Sequence, residues 1–113
     1  MSQSIIDRIK KARQTTIKVG TITLTCRRPT DLEMLEMRGK AKQSEILTRF
    51  VDGWDAKEID LVPGGSDIAV QFTPELFAEW VADHPESWMP ISTAVSDSYK
   101  KHEAELEGAT KNS

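Results

Sequence analysis

The segment from Arg27 to Trp54 constrains the fold most, because it stops a strand and then immediately starts a helix. Pro29 cannot donate to a strand ladder, so a strand that reaches it has to end there. Thr30 and Glu33 form a capping box, in which the threonine side chain caps the helix and the glutamate reaches back to the cap. At the other end, Gly53 predicts the end of the helix, and Trp54 is expected to fold back onto its last turn.

Apolar residues at helical spacing predict that most of this segment is helical. Leu32 and Leu35 lie on one face, and Met34 and Met37 widen it. Methionines at this spacing usually pack in a core, with an adaptable binding surface as the alternative. Gly39 interrupts the pattern and costs about 1 kcal/mol relative to alanine. It predicts a kink, a break into two helices, or close contact with another backbone.

Alternating apolar residues before this segment predict a β-hairpin with strands at 15–19 and 22–27. Ile17 and Val19 share one phase, and the phase flips at Gly20. The pair Gly20-Thr21 fits a two-residue type II′ turn, whose first central residue needs a positive φ. Two strands alone are unstable, so one face of the hairpin is expected to pack on helices.

The second half of the chain predicts a loop at residues 55–72, within which a second small hairpin could form, and two helices. Apolar residues on either side of a Pro-Gly-Gly-Ser turn place this hairpin within residues 55–72. Thr73 and Pro74 predict the start of a helix. A last helix is expected from about Pro85 until Gly108 ends it, with residues 108–113 as a free tail.

The first residues, 1–14, predict an amphipathic helix whose apolar stripe contains Ile5, Ile6 and Ile9. No secretion signal is expected, since no continuous apolar segment follows the charges, and no apolar run approaches the roughly 18 residues of a membrane span. One cysteine fits a reducing cytoplasm. The 113 residues predict a single α+β domain with its core at 15–107, in which a small N-terminal β-hairpin packs on a mostly α-helical body.

Charge is divided unequally along the chain. Residues 1–49 contain 11 Lys/Arg and 5 Asp/Glu, whereas residues 50–113 contain 4 and 13. The halves could attract each other within one fold, or between copies in a head-to-tail assembly, or the basic half could meet nucleic acid. Attraction within the fold is the plainest of these interpretations. Nucleic acid is disfavoured, because no aromatic residues alternate with the scattered basic ones to form a stacking platform.

The sequence contains no recognisable catalytic, cofactor or metal motif. The two histidines have no partner at ligand spacing. Cys26 falls on the apolar phase of its strand and is expected to be a buried structural residue, with a cysteine–histidine pair as the weaker alternative. Asp52 and Asp55 are expected to be solvated turn residues rather than paired catalytic carboxylates. Of the pair Arg27-Arg28, one arginine is expected to face Glu33 or Asp31 from an edge strand, in preference to binding an anion.

Three short motifs resemble those of tail assembly chaperones of long-tailed bacteriophages and prophages. The first is Arg27-Arg28-Pro29-Thr30-Asp31-Leu32-Glu33 after an alternating strand. The second is Phe50-Val51-Asp52-Gly53-Trp54, and the third is Phe72-Thr73-Pro74-Glu75 at the start of the next helix. The resemblance covers roughly residues 16–90.

This resemblance implies a non-enzymatic protein without cofactors. Such chaperones hold the long, helical, aggregation-prone tape-measure protein until the tail tube polymerises around it. The expected partners are therefore the tape-measure protein and, in addition, further copies of the chain, in the cytoplasm of a bacterial host. The alternatives are a tail-completion or adaptor protein that stays in the virion, and a small nucleic-acid-binding regulator.

The candidate partner-binding residues are large apolar side chains on the predicted helix faces and beside the Gly-Trp turn. An amphipathic domain of this kind could bind a helix in a groove. The set comprises Ile5, Ile9, Met34, Met37, Trp54, Trp80 and Trp88.

Overall fold

A computed structural model describes residues 4–111 of the chain and contains one three-stranded antiparallel sheet. Its strands, in the spatial order β1-β2-β3, are β1 (Gln14–Val19), β2 (Ile22–Arg27) and β3 (Val51–Trp54). The predicted hairpin is confirmed, with Val19 paired to Ile22 across the turn. Gly20 has a φ of 60°, a conformation that glycine adopts without the steric cost of a β-carbon.

The helices account for most of the remaining residues, so the α+β class is confirmed. They are α1 (Ile5–Ala12), α2 (Asp31–Met37), α3 (Gln43–Arg49), α4 (Glu58–Leu61), α5 (Pro74–Ala82) and α6 (Trp88–Lys111), with a 3₁₀ turn at Pro85–Ser87 before α6. Both predicted caps form: Glu33 N donates to Thr30 Oγ1, and Leu76 N donates to Thr73 Oγ1.

The helix predicted from Thr30 to Gly53 is wrong in two places. It breaks at Gly39, where φ is 70°, so the break into two helices is the correct alternative. It also ends early, because residues 51–54 pair with β2 as a third strand. The amide of Arg27 donates to the carbonyl of Phe50 at 2.9 Å and fixes the point where α3 gives way to β3. As a result β2 is the central strand, not an edge.

Two other predictions are also wrong, namely the second hairpin and the end of the last helix. The second hairpin does not form: residues 58–61 are the short helix α4, and Lys57 and Ala69 make an isolated bridge. Gly108 does not end the last helix, which continues to Lys111. Glycine lowers helix stability but does not forbid a helix. Residues 112–113 of the predicted tail, and residues 1–3 of the predicted first helix, lie outside the described part of the chain.

The core lies between one face of the sheet and the helices α3, α5 and α6. The central strand buries Ile22, Leu24 and Cys26 on that face. Phe77 of α5 and Ile91 of α6 are almost fully buried and belong to the same cluster. Each such side chain contributes roughly 1.5–3 kcal/mol through removal from water. By contrast α2 buries none of its residues, and Leu32 and Leu35 of the predicted apolar stripe are 64% and 65% exposed.

Polar contacts to Glu33 attach α2 to the rest of the fold. The guanidinium of Arg27 donates to both Glu33 carboxylate oxygens, at 2.7 and 3.0 Å, and Arg49 Nε lies 3.0 Å from one of them. The amide of Thr30 donates to the same carboxylate at 3.0 Å. Arg27 also stacks over the Phe50 ring, with its Cζ 4.8 Å from the ring centroid. The prediction that one arginine faces Glu33 is therefore confirmed.

An aromatic cluster surrounds Trp54. Its ring centroid lies 5.3 Å from Phe72, 6.0 Å from Phe77 and 6.4 Å from Trp80, with steep interplanar angles. Its indole N–H donates to the carbonyl of Val70 at 2.8 Å. Edge-to-face pairs of this kind add roughly 0.5–1.5 kcal/mol each beyond burial. Trp54 thus joins β3 to α5 and to the loop before it, and does not fold back on α3.

We expect Glu33→Gln to lower the unfolding free energy at pH 7 by about 1.5 kcal/mol, since the charge-assisted bonds from Arg27 are lost. The hydrogen bond from Arg27 lowers the pKa of Glu33 from 4.5 to about 2. A lowered carboxylate pKa stabilises the fold above the unfolded pKa, and this stability is lost as pH falls from 4.5 towards 2. Denaturant titrations across this pH range should show a smaller pH dependence for the variant than for the wild type. The control is Glu36→Gln on the same helix, and equal losses in both variants would contradict the prediction.

We expect Trp54→Ala to lower the unfolding free energy by about 3 kcal/mol, because it removes the ring at the centre of the aromatic cluster. Trp54→Phe keeps an aromatic ring and loses the hydrogen bond to Val70, so its cost should be nearer about 1 kcal/mol. Equilibrium unfolding in urea measures both. Unchanged stability in the alanine variant would show that the cluster does not support the core.

Candidate partner-binding surfaces

Helix α1 presents an uncovered apolar face. Ser4 caps it, accepting a hydrogen bond from the Asp7 amide at 3.1 Å. Ile5, Ile6 and Ile9 are 72%, 64% and 49% exposed, and α1 has no buried residue. A helix of eight residues is marginal in water when nothing covers its apolar face. The exposed isoleucines therefore mark a surface suited to a partner.

Basic residues border the apolar face of α1. At 100° per residue, Arg8 and Lys10 fall on opposite flanks of the isoleucine stripe. Lys11 lies on the far side, in the last turn, where a cation complements the helix dipole. A surface that receives α1 would therefore need an apolar floor and at least one acidic rim.

An apolar groove of about 450 Å³ lies between the α2–α3 segment and α6. Its floor is formed by large apolar side chains from both sides. These are Pro29, Met34, Met37, Ile46, Phe50, Val95 and Tyr99. Polar residues border it, among them Gln43, Ser96, Lys100 and Glu103. The floor is rich in methionine and aromatic side chains, which adapt to differently shaped apolar partners.

Hydrogen bonds across the groove hold its two walls together at separate points. Gln43 Nε2 of α3 donates to Ser92 Oγ of α6 at 3.0 Å. Further along α6, the Tyr99 hydroxyl donates to Asp31 Oδ1 at 2.7 Å, and His102 Nε2 lies 3.1 Å from Asp31 Oδ2. The His102 and Tyr99 hydrogen bonds lower the pKa of Asp31, so this carboxylate stays ionised where α2 begins.

Four of the seven candidate residues lie at these two surfaces. Ile5 and Ile9 are on the open face of α1, and Met34 and Met37 line the groove. The apolar stripe of α1 was predicted as a unit, whereas the groove was not. The spacing of the methionines was the signal available in the sequence, but it could not show that α6 forms the opposite wall.

The three candidate tryptophans have other surroundings. Trp54 is half-buried in the aromatic cluster described above. Trp80 is 7% exposed, and its indole N–H has no hydrogen-bond partner within residues 4–111. Trp88 is 38% exposed and donates its indole N–H to the carbonyl of Val81 at 2.7 Å, which fixes the start of α6 against α5. Of the three, Trp88 alone is exposed enough to add contact area for a partner.

A second cleft, of about 620 Å³, lies on the other side of α6, and most of the residues that line it are polar or charged. It is bounded by the end of α1, by β1 and by α6. Arg13, Arg28 and Lys101 line it together with Asp97 and Glu105. Charges of both signs are therefore interspersed along this cleft, so it has no strong preference for a ligand of one sign.

The residues weighed for chemistry are buried or take part in local polar contacts. Cys26 is fully buried, as predicted, and burial raises the pKa of its thiol to about 11, with a smaller effect from Asp52. Asp55 Oδ1 accepts from the Thr23 amide at 2.7 Å, and Asp52 lies 3.7 Å from Arg27. Within residues 4–111, no cluster of three or more histidine, cysteine or acidic residues could hold a metal ion.

None of the helices within residues 4–111 has the length and apolar character needed to cross a bilayer. Compared with known proteins, the chain matches no protein-family model, no curated protein sequence and no solved structure.

Proposed function

We propose that this chain is a non-enzymatic tail assembly chaperone of a long-tailed phage or prophage. Its partners are the tape-measure protein and further copies of itself, and it acts in the cytoplasm of the bacterial host. It binds apolar helical stretches of the tape-measure protein and keeps that protein soluble until the tail tube forms around it.

The groove between α2–α3 and α6 carries this proposal. An amphipathic helix laid in such a groove buries its apolar stripe against the floor and keeps its polar face in water. The methionines Met34 and Met37 adapt to different sequences, which suits a client that presents many similar but unequal helical segments.

A groove lined by a few apolar side chains also suits a temporary complex. Each apolar side chain that a client inserts contributes roughly 1.5–3 kcal/mol at most, and ordering the client and the groove costs part of that gain. Many such moderate contacts along a long helix hold it collectively. Each contact can still dissociate separately when the tail tube takes over the client surface.

Co-expression with the long helical protein encoded just downstream in the same genome tests the proposal. We expect that protein to be soluble only together with this chain and to be captured with it. Met34→Glu and Ser96→Trp should each reduce capture at least tenfold, about 1.4 kcal/mol, because one charges the groove and the other fills it. The matched controls are Leu35→Glu on the outer face of α2 and Thr93→Trp on an exposed position of α6.

Two outcomes would contradict the proposal. If the downstream protein is soluble alone and is not captured, the chaperone function fails. If mass spectrometry finds the chain in purified virions at stoichiometric amounts, it is a structural tail component instead. Circular dichroism of each variant has to match the wild type before a loss of capture is interpreted.

A further inference from the structure

We propose that α1 of one copy of this chain occupies the groove between α2–α3 and α6 of a second copy, so that copies join head to tail. This inference rests on the proposed function, because it assigns a second occupant, helix α1 of another copy, to the same helix-binding groove. It identifies the two surfaces of the self-association interface and makes α1 a competitor of the client helix.

Within one copy, α1 does not reach the groove. Residues of α6 such as Ser96 and Tyr99 line the groove, whereas Asp97 and Lys101 line the polar cleft on the other side of α6. Ala12, at the end of α1, borders that cleft and not the groove. A single residue, Arg13, separates α1 from β1, so no linker is available for α1 to cross over α6. The exposed isoleucines can therefore enter a groove of this kind in another copy.

The apolar character of the two surfaces agrees. Helix α1 is about 12 Å long at 1.5 Å per residue, or slightly more than two turns. Ile5 and Ile9 follow each other at i and i+4, with Ile6 beside them, and this spacing gives one continuous stripe. Three such side chains can pack on a groove floor that consists of apolar side chains, and the Gln43–Ser92 and Tyr99–Asp31 hydrogen bonds join the walls of that groove.

Charge complementarity singles out a second copy as the occupant. Arg8 and Lys10 flank the isoleucine stripe, and neither forms an ion pair within residues 4–111. On the acceptor, Glu103 lies on the groove rim, and Glu107 follows one turn later on the same side of α6. Lys100 is also on the rim, but residues 102–108 contain three glutamates and no lysine or arginine.

The charge asymmetry of the whole chain supports the same arrangement. Arg27 and Arg49 pair mainly with carboxylates of their own basic half, Glu33 and Glu45. Ion pairs within one copy therefore neutralise little of the excess positive charge of residues 1–49 or of the excess negative charge of residues 50–113. The basic flanks of α1 and the glutamates along the C-terminal part of α6 favour a heterologous contact, which extends from copy to copy unless it closes into a ring.

The test uses two variants that each disable one side of the interface. Ile5→Asp with Ile9→Asp charges the face of α1, and Ser96→Trp fills the groove. In sedimentation analysis, the wild type should grow in mass beyond a dimer as its concentration rises, and each variant should remain monomeric. An equimolar mixture of the two variants should form a one-to-one complex and grow no further, because one intact α1 and one intact groove remain.

Controls and a charge exchange complete the design. Leu35→Asp and Thr93→Trp should associate like the wild type, and Met34→Glu should behave like Ser96→Trp. Lys10→Glu and Glu103→Lys should each weaken association, and the double variant should recover it because the opposite charges are exchanged. Recovery of this kind is not expected of residues that act only through the fold of their own copy.

Several results would overturn the inference. A wild type that stays monomeric at every concentration would do so. So would a monomeric chain that binds anionic phospholipid vesicles through α1. Association that requires the α1 isoleucines but tolerates Ser96→Trp and Met34→Glu would show that α1 binds a different surface. The α1 variant should still capture the downstream helical protein, since its groove is intact. Loss of self-association with capture retained therefore separates this inference from the proposed function.

Discussion

The carboxylate of Glu33 is the contact on which the arrangement of α2, α3 and the sheet depends. It accepts hydrogen bonds from Arg27 at the end of β2 and from the Thr30 amide at the cap of α2, and it pairs with Arg49 at the end of α3. Three chain segments therefore converge on one partly buried anion, and the amide of Arg27 also fixes the start of β3 through its bond to the Phe50 carbonyl. Bidentate arginine–carboxylate contacts are directional as well as strong, so they fix angles that apolar packing alone would leave variable.

This mode of attachment explains why the chain has a groove. Helix α2 contributes no buried residue to the core and is held by hydrogen bonds and ion pairs at its first turn. Its methionines face α6 across a gap, while its leucines face solvent. A helix held by its first turn can shield an apolar channel without filling it. The apolar channel is thus a consequence of polar anchoring, and it gives a small domain a helix-sized surface outside its core.

Local signals made much of the fold predictable. The hairpin followed from alternation and from a glycine at the turn, and the caps at Thr30 and Thr73 formed as their neighbours indicated. These features depend on residues within a few positions of one another, so the sequence contains all the necessary information. One prediction failed because a distant segment competed: residues 51–54 became a strand, since β2 offered an open edge. The prediction at Gly108 failed for a local reason, because glycine lowers helix stability but does not end a helix by itself.

By itself, the sequence determined the α+β class, the capped starts of α2 and α5, the buried cysteine and an amphipathic first helix. The tertiary structure alone decided that α1 lies uncovered, that the methionines face α6 across a groove and that Trp54 belongs to an aromatic cluster. The physical reason is that helical periodicity shows which residues share a face but not what that face meets. Which element covers an apolar face depends on contacts between residues far apart in the chain, such as the hydrogen bond from Tyr99 to Asp31.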